Sequence, residues 1–263
     1  MLGAMPNLPP QSAESLKPSS LPASEPANRQ LAWAGVVFAL VFPTVLTWAY
    51  FIQAAEAGEG VQRAVMGTLK VIQFTFPLVW VLWVLRERIA WRNFTTRGVP
   101  LGVAFGLVVT LASWCVFHFA LAPMPAFQAA IEPMREKVAG FGIDSVAKYA
   151  ALGVFYSLCH SFLEEYYWRW FVFAQLRRLT PLGTAIVVSS LGFASHHVLV
   201  LAYYFGWTSP LTWLFSAAVA IGGAFWAWLY NRTGSLVGPW LSHLVIDAGI
   251  FLIGFQLVRA SLG

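Results

Sequence analysis

Charge is scarce in this sequence: only 10% of its 263 residues are Asp, Glu, Lys or Arg. An average soluble domain carries about 25%. A water-soluble fold of this size has too little interior to hide 13 Trp and 21 Phe behind so few charges, which excludes an ordinary soluble enzyme. Cysteine is nearly absent. Cys115 and Cys159 both lie in apolar runs, too few and too isolated for a disulfide framework or a zinc site of their own. The first thirty residues lack any apolar run, so no cleavable signal peptide is expected before Leu31. Six of the 15 prolines fall there among Ser, Glu and Asn. Residues 1–30 therefore read as a disordered cytoplasmic tail, and 31–263 as one membrane domain.

What is present instead is a series of apolar segments, each near the roughly 20 residues that a spanning helix needs. Seven occur: Leu31–Ile52, Val65–Leu85, Val99–Leu121, Tyr149–Leu176, Thr184–Tyr204, Leu211–Tyr230 and Leu236–Leu257. The expected fold is all-α, a polytopic membrane bundle of about seven transmembrane helices. Lys70 interrupts the second segment and is expected to extend its stem to the interface. The formal charge of +5 reads as topology, not as a nucleic-acid surface. Arg29, then Arg86, Arg88, Arg92 and Arg97, then Arg177 and Arg178, then Arg232 all fall on one side if the N-terminus is cytoplasmic. Glu56, Glu59, Glu132, Glu136 and Asp144 fall on the other. The implied location is the bacterial inner membrane.

Two further segments carry a packing expectation. Pro125–Gly140 is weakly amphipathic, with Ala126, Ala129, Ala130, Met134 and Val138 on one face, and is expected to rest on the outer surface. Ser216, Ala220 and Ala224 recur every four residues as a stripe for close helix contact.

The chemistry is concentrated late in the chain. An ionisable group inside a membrane is costly and marks a functional site by default. Of 11 acids, three lie deep in spans: Glu164, Glu165 and Asp247. His160, His196, His197 and His243 share the same late helices. Residues four apart stack on a helix face, so Glu165 meets Arg169, while Glu164 keeps company with His160 and Trp168 and has no such cation. One carboxylate is paired and the other is free to take up a proton, the inequality on which acid–base sites rest. Phe193 and His197 share a face in the fifth segment, and His243 and Asp247 in the seventh, where the Asp can orient the ring. At 1.5 Å per residue, Glu164, His197, His243 and Asp247 lie roughly 18, 20, 10 and 17 Å from the cytoplasmic ends, in one middle layer. His118, His160 and His196 read as helix–helix hydrogen bonds, and Ser161 as a packing residue.

Glu164-Glu165-x-x-x-Arg169, Phe193-x-x-x-His197 and His243-x-x-x-Asp247 resemble the three motifs of the CAAX protease and bacteriocin-processing (CPBP, or abortive-infection) family over about residues 145–257. The resemblance implies a glutamic-type intramembrane endopeptidase. In it Glu164 and His197 activate water, His243 and residue 247 stabilise the oxyanion, and Glu165 with Arg169 braces the site. In the prenyl-protein branch residue 247 is typically Asn; Asp, as here, is common among bacterial relatives. An ionised Asp247 repels an oxyanion, so it must act protonated or through His243. The implied partners are the lipid bilayer and a membrane-associated protein or peptide substrate, with no cofactor.

Three alternatives stay open. Glu164, His197 and His243 are also a three-ligand zinc set, although the His-Glu-x-x-His signature is absent. Buried acids and histidines also serve ion-coupled transporters, against which stands the lack of an internal repeat. A catalytically silent scaffold is the third.

Overall fold

The computed structural model describes residues 26–54, 57–88 and 94–263. Every long apolar run is a helix, since a backbone in hydrocarbon must satisfy its polar groups within its own segment. Seven helices are long and apolar enough to cross a membrane: Asn28–Gln53, Gly60–Val84, Val99–Leu121, Val146–Leu179, Leu182–Phe205, Pro210–Thr233 and Val237–Ser261. Among the described residues there is no strand. The protein is an integral, multi-pass membrane protein. Most of the expected tail lies outside the described residues; from Pro26 onward the chain is already helical.

Local signals set the ends. Ser145 and Ser209 cap the fourth and sixth spans, each side chain accepting from a backbone N–H just inside the helix. Pro210 opens the sixth span. Gly234 closes it in the left-handed region at φ 65°, a conformation that glycine adopts without strain. Arg178 on the fourth span pairs with Glu87 after the second at 2.6 Å, so these two ends share a side, as the arginine distribution requires.

The fourth span is the hub. Tyr167, Trp168, Phe171, Val172, Phe173 and Leu176 are buried against Val36 and Ala39 of the first span and Phe193 of the fifth. Tyr167 Oη donates to the Ala39 carbonyl at 2.9 Å. Large side chains such as Trp83, Phe119, Ile221 and Leu252 point outward, where lipid replaces water as the solvent.

The third and seventh spans approach closely. Thr110 Oγ1 donates to the Val245 carbonyl at 3.1 Å. A Cβ added at Gly102 would lie 2.3 Å from the Gly238 carbonyl oxygen, which only a small-residue contact allows. The stripe expected on the sixth span is present but shifted. Ser216 is buried, Ala220 and Ala224 are half-buried, and Gly223 and Ala227 take the close contacts.

The outer segment forms two short helices, Pro125–Ala129 and Ile131–Gly140. Its buried residues are Phe127 and Ala130, while Ala126 and Ala129 are exposed. The break between the two helices turns the first away from the expected face and lets Phe127 pack on Phe117, Leu121 and Leu211. Met134 and Val138 are half-buried. Lys137 Nζ lies 4.2 Å from the Tyr50 ring and 5.2 Å from that of Phe51, and burial there lowers the pKa of its ammonium.

Gly102→Ala is expected to cost about 1–3 kcal/mol by overpacking, read as a lower unfolding midpoint and folded yield in detergent. Gly67→Ala, with nothing within 4 Å of the added Cβ, serves as the neutral control. Equal midpoints for the two variants would contradict this packing.

Candidate active site

The two neighbouring glutamates sit on a short α-helical turn, Ser161–Glu165. It is flanked by π-helical stretches at Tyr156–His160 and Tyr166–Phe173. Such widened turns interrupt α-helices mostly at functional sites. Both carboxylates are buried, Glu164 at 3% and Glu165 at 0% exposure.

Glu165 is engaged through one oxygen, while its Oε2 is buried without a hydrogen-bond partner. Its Oε1 lies 3.1 Å from Arg169 Nη1 and 2.9 Å from His243 Nδ1. A carboxylate only accepts, so the imidazole donates from Nδ1, and this fixes the ring. Arg169 is held in turn: Nη2 donates to the Gly223 carbonyl at 3.2 Å. Its guanidinium lies 4.8 Å from the Phe193 ring and 4.9 Å from that of Trp226. Trp226 also stacks on His243, centroids 4.2 Å apart. The fourth, fifth, sixth and seventh spans thus meet around one cation and one imidazole.

Glu164 is engaged by nothing so closely. Its Oε1 lies 3.8 Å from both His160 Nε2 and His196 Nε2, and its Oε2 lies 3.7 Å from His243 Nε2. These separations are too long for direct hydrogen bonds. Asp247 Oδ1 approaches the same His243 Nε2 at 3.6 Å.

The expected residues converge on one layer, with differences in detail. Asp247 does not fix the ring of His243; Glu165 does, because the seventh span turns Nδ1 toward the fourth. Asp247 instead flanks Nε2. His196 reaches Glu164 as well as stacking on Trp168 at 6.0 Å, which exceeds the helix–helix role expected for it. His197 keeps the Phe193 face, its Nδ1 3.0 Å from the Phe193 carbonyl, and is not within ion-pair distance of Glu164. A carbonyl only accepts, so Nδ1 of His197 donates and its Nε2 is left as an acceptor. His118 is exposed on the third span, edge-on to Trp114 and Phe117. Ser161 donates to the carbonyl of Ser157, as a packing serine does. Lys70 turns inward, Nζ 3.4 Å from His160 Nε2, and does not extend to the interface.

Trp226 and Gly223 carried no sequence signal; one is among 13 tryptophans and the other among 21 glycines. Lys70 did carry one, as a lone cation within a span. Among the described residues no three His, Cys, Asp or Glu side chains are grouped as a metal site requires. A lipid-side cavity of about 520 Å³ runs between the fourth and seventh spans, lined by Tyr149, Gly153, Ser157, Leu244, Ala248 and Phe251. Three of these residues adjoin the site in sequence: Ser157 lies three before His160, and Leu244 and Ala248 follow His243 and Asp247.

A helical membrane protein with buried acids and histidines gathered from its fourth, fifth and seventh spans defines a class, and the sequence comparison gives a family for the stretch that carries them. Residues 145–249 match the model described as type II CAAX prenyl endopeptidase Rce1-like. No curated protein and no solved structure matches the chain. The chain carries a CAAX protease family domain and is a membrane peptidase, a hydrolase. The matched stretch contains all three motifs noted in the sequence.

Removing one member of a buried pair strands the other, at a cost of about 3–5 kcal/mol. Glu165→Ala, which leaves Arg169 without its carboxylate, should therefore lower folded yield and unfolding midpoint as well as activity. A Glu165→Ala protein that is fully stable and defective only in turnover would exchange the roles of the two glutamates.

Proposed function

We propose that this peptidase is a glutamic-type intramembrane endopeptidase in which Glu164 activates the attacking water. The observation that carries the reading is the contrast between the two carboxylates. Glu165 is consumed by Arg169 and His243, whereas Glu164 is ringed by three imidazole nitrogens at 3.7–3.8 Å and hydrogen-bonded directly to none.

Amide hydrolysis needs an activated nucleophile, a stabilised oxyanion and a proton for the leaving amine. Glu164 takes a proton from water, and the hydroxide adds to the peptide carbonyl. Glu164 then returns the proton to the amine as the C–N bond breaks. His197, with Nδ1 committed to a carbonyl, offers Nε2 as a second acceptor for the water. His196 flanks the Glu164 carboxylate at 3.8 Å. His243 donates from Nδ1 to Glu165, so it serves as an oxyanion donor only with a second proton on Nε2. Glu164 and Asp247 beside that nitrogen supply the negative charge that such an imidazolium needs. Asp247 acts through the ring, and the reaction proceeds without a metal. The cavity between the fourth and seventh spans supports entry of a membrane-associated protein or peptide from the lipid. The arginine distribution supports a cytoplasmic N-terminus.

Glu164→Gln should keep the fold and lose cleavage by about 100- to 10,000-fold, the range for lost proton transfer. Wild-type turnover by the purified variant would sink the assignment. The paired histidines give a second test. His197→Ala should be inactive, while His196→Ala, which loosens Glu164 without removing the acceptor, should retain about a tenth of wild-type kcat. The reverse ranking in the same cleavage assay would move the acceptor by one position.

A further inference from the structure

Lys70 belongs to none of the three motifs and lies outside the matched segment. It sits in the middle of the second span, ten residues from Gly60 and 14 from Val84, so roughly 15 and 21 Å from the two ends at 1.5 Å per residue. A cation at that depth is expensive and is kept where it has work. Lys70 spends its one close polar contact on the active-site layer, with Nζ 3.4 Å from His160 Nε2. Phe74, one turn further along the same span, meets the His160 ring edge-on at 6.0 Å. Tyr156 lies against that ring at 4.7 Å. The imidazole is thus gripped by residues of two helices.

The direction of the contact follows from chemistry. An ammonium only donates, so His160 Nε2 accepts and the ring proton lies on Nδ1. That same Nε2 is 3.8 Å from Glu164 Oε1. The two separations put the ammonium within roughly 7 Å of the carboxylate, a range at which opposite charges attract strongly in a low-dielectric interior. Several groups surround Glu164: His160 and Tyr156 on its own helix, His196 and His197 on the fifth span, His243 and Asp247 on the seventh, and the neighbouring Glu165–Arg169 pair. Arg169 already neutralises Glu165. Among the described residues, Lys70 forms no ion pair with a carboxylate, so its charge is free to balance Glu164 from the side opposite His243.

We propose that Lys70, anchored by His160, is a positioning residue of the active site whose ammonium supplies a counter-charge to Glu164 and so fixes where its carboxylate stands. The proposal rests on Glu164 being the proton acceptor. It assigns the second span, which carries none of the motifs, a part in the chemistry.

Steady-state cleavage by purified variants at matched folded yield tests it. Lys70→Met should lower kcat by roughly ten- to a hundredfold, the scale for partners that orient a site from behind, and leave KM within about twofold. Lys70→Gln keeps a neutral donor to His160 but no charge, and should fall with it. Lys70→Arg should recover most of the activity. In a His160→Phe background, Lys70→Met should cost less than about a further twofold, because coupled residues are not additive. Wild-type kcat in Lys70→Met or Lys70→Gln, a change confined to KM, or an undiminished loss in the His160→Phe background would overturn the proposal. Glu164→Gln in the same assay separates the two claims. If it is inactive while Lys70→Met is normal, only the role of Lys70 fails; if it is active, the assignment of Glu164 fails first.

Discussion

The Glu165 carboxylate, shared between Arg169 and His243, is the contact on which the site depends. In hydrocarbon an unpaired acid or guanidinium is too costly to keep, so the pair must form, and once formed it ties the fourth span to the seventh. Phe193 of the fifth span and Trp226 of the sixth close over the same guanidinium, and the Gly223 carbonyl accepts from its Nη2. Four helices are thereby registered by one ion pair. The neighbouring Glu164 inherits its freedom from this arrangement: the cation and the imidazole Nδ1 are both turned toward Glu165. A difference of one position along the helix becomes a difference between a structural and a reactive carboxylate.

That division also fits the local backbone. The turn carrying both glutamates lies between two π-helical stretches, which widen the helix on either side and let large rings such as Tyr156 and Trp168 pack beside it. Around it the small residues Gly102, Gly223 and Gly238 bring helices close enough for side chains from separate spans to reach one layer. Stability and chemistry here draw on the same contacts, so a packing change in the third span is felt at His243.

Much of this could be read in the sequence. Apolar runs gave the seven spans, with Val99–Leu121 recovered to the residue, because length and hydropathy alone govern what can cross a bilayer. The Glu165–Arg169 pair and the free Glu164 followed from spacing within one helix. What spacing cannot give is the direction in which a helix faces its neighbours. His196 meets the fourth span at Glu164 and Trp168, whereas a wheel centred on Phe193 favoured His197. Lys70 looked like a snorkelling residue because nothing in its own helix revealed His160 waiting opposite. The outer segment was misjudged for a similar reason: one helix was assumed where a break at Ala130 makes two and hands the contact to Phe127.

The central claim is that a carboxylate-activated water attacks the peptide bond directly. Single-turnover cleavage by purified, chelator-treated protein in ¹⁸O-labelled water tests it most directly, with mass analysis of both product and enzyme. The account predicts undiminished cleavage, one ¹⁸O in the new C-terminal carboxyl of the first-turnover product, and no acyl-enzyme. Loss of cleavage on chelation that zinc restores, or a covalent adduct on the enzyme, would contradict it.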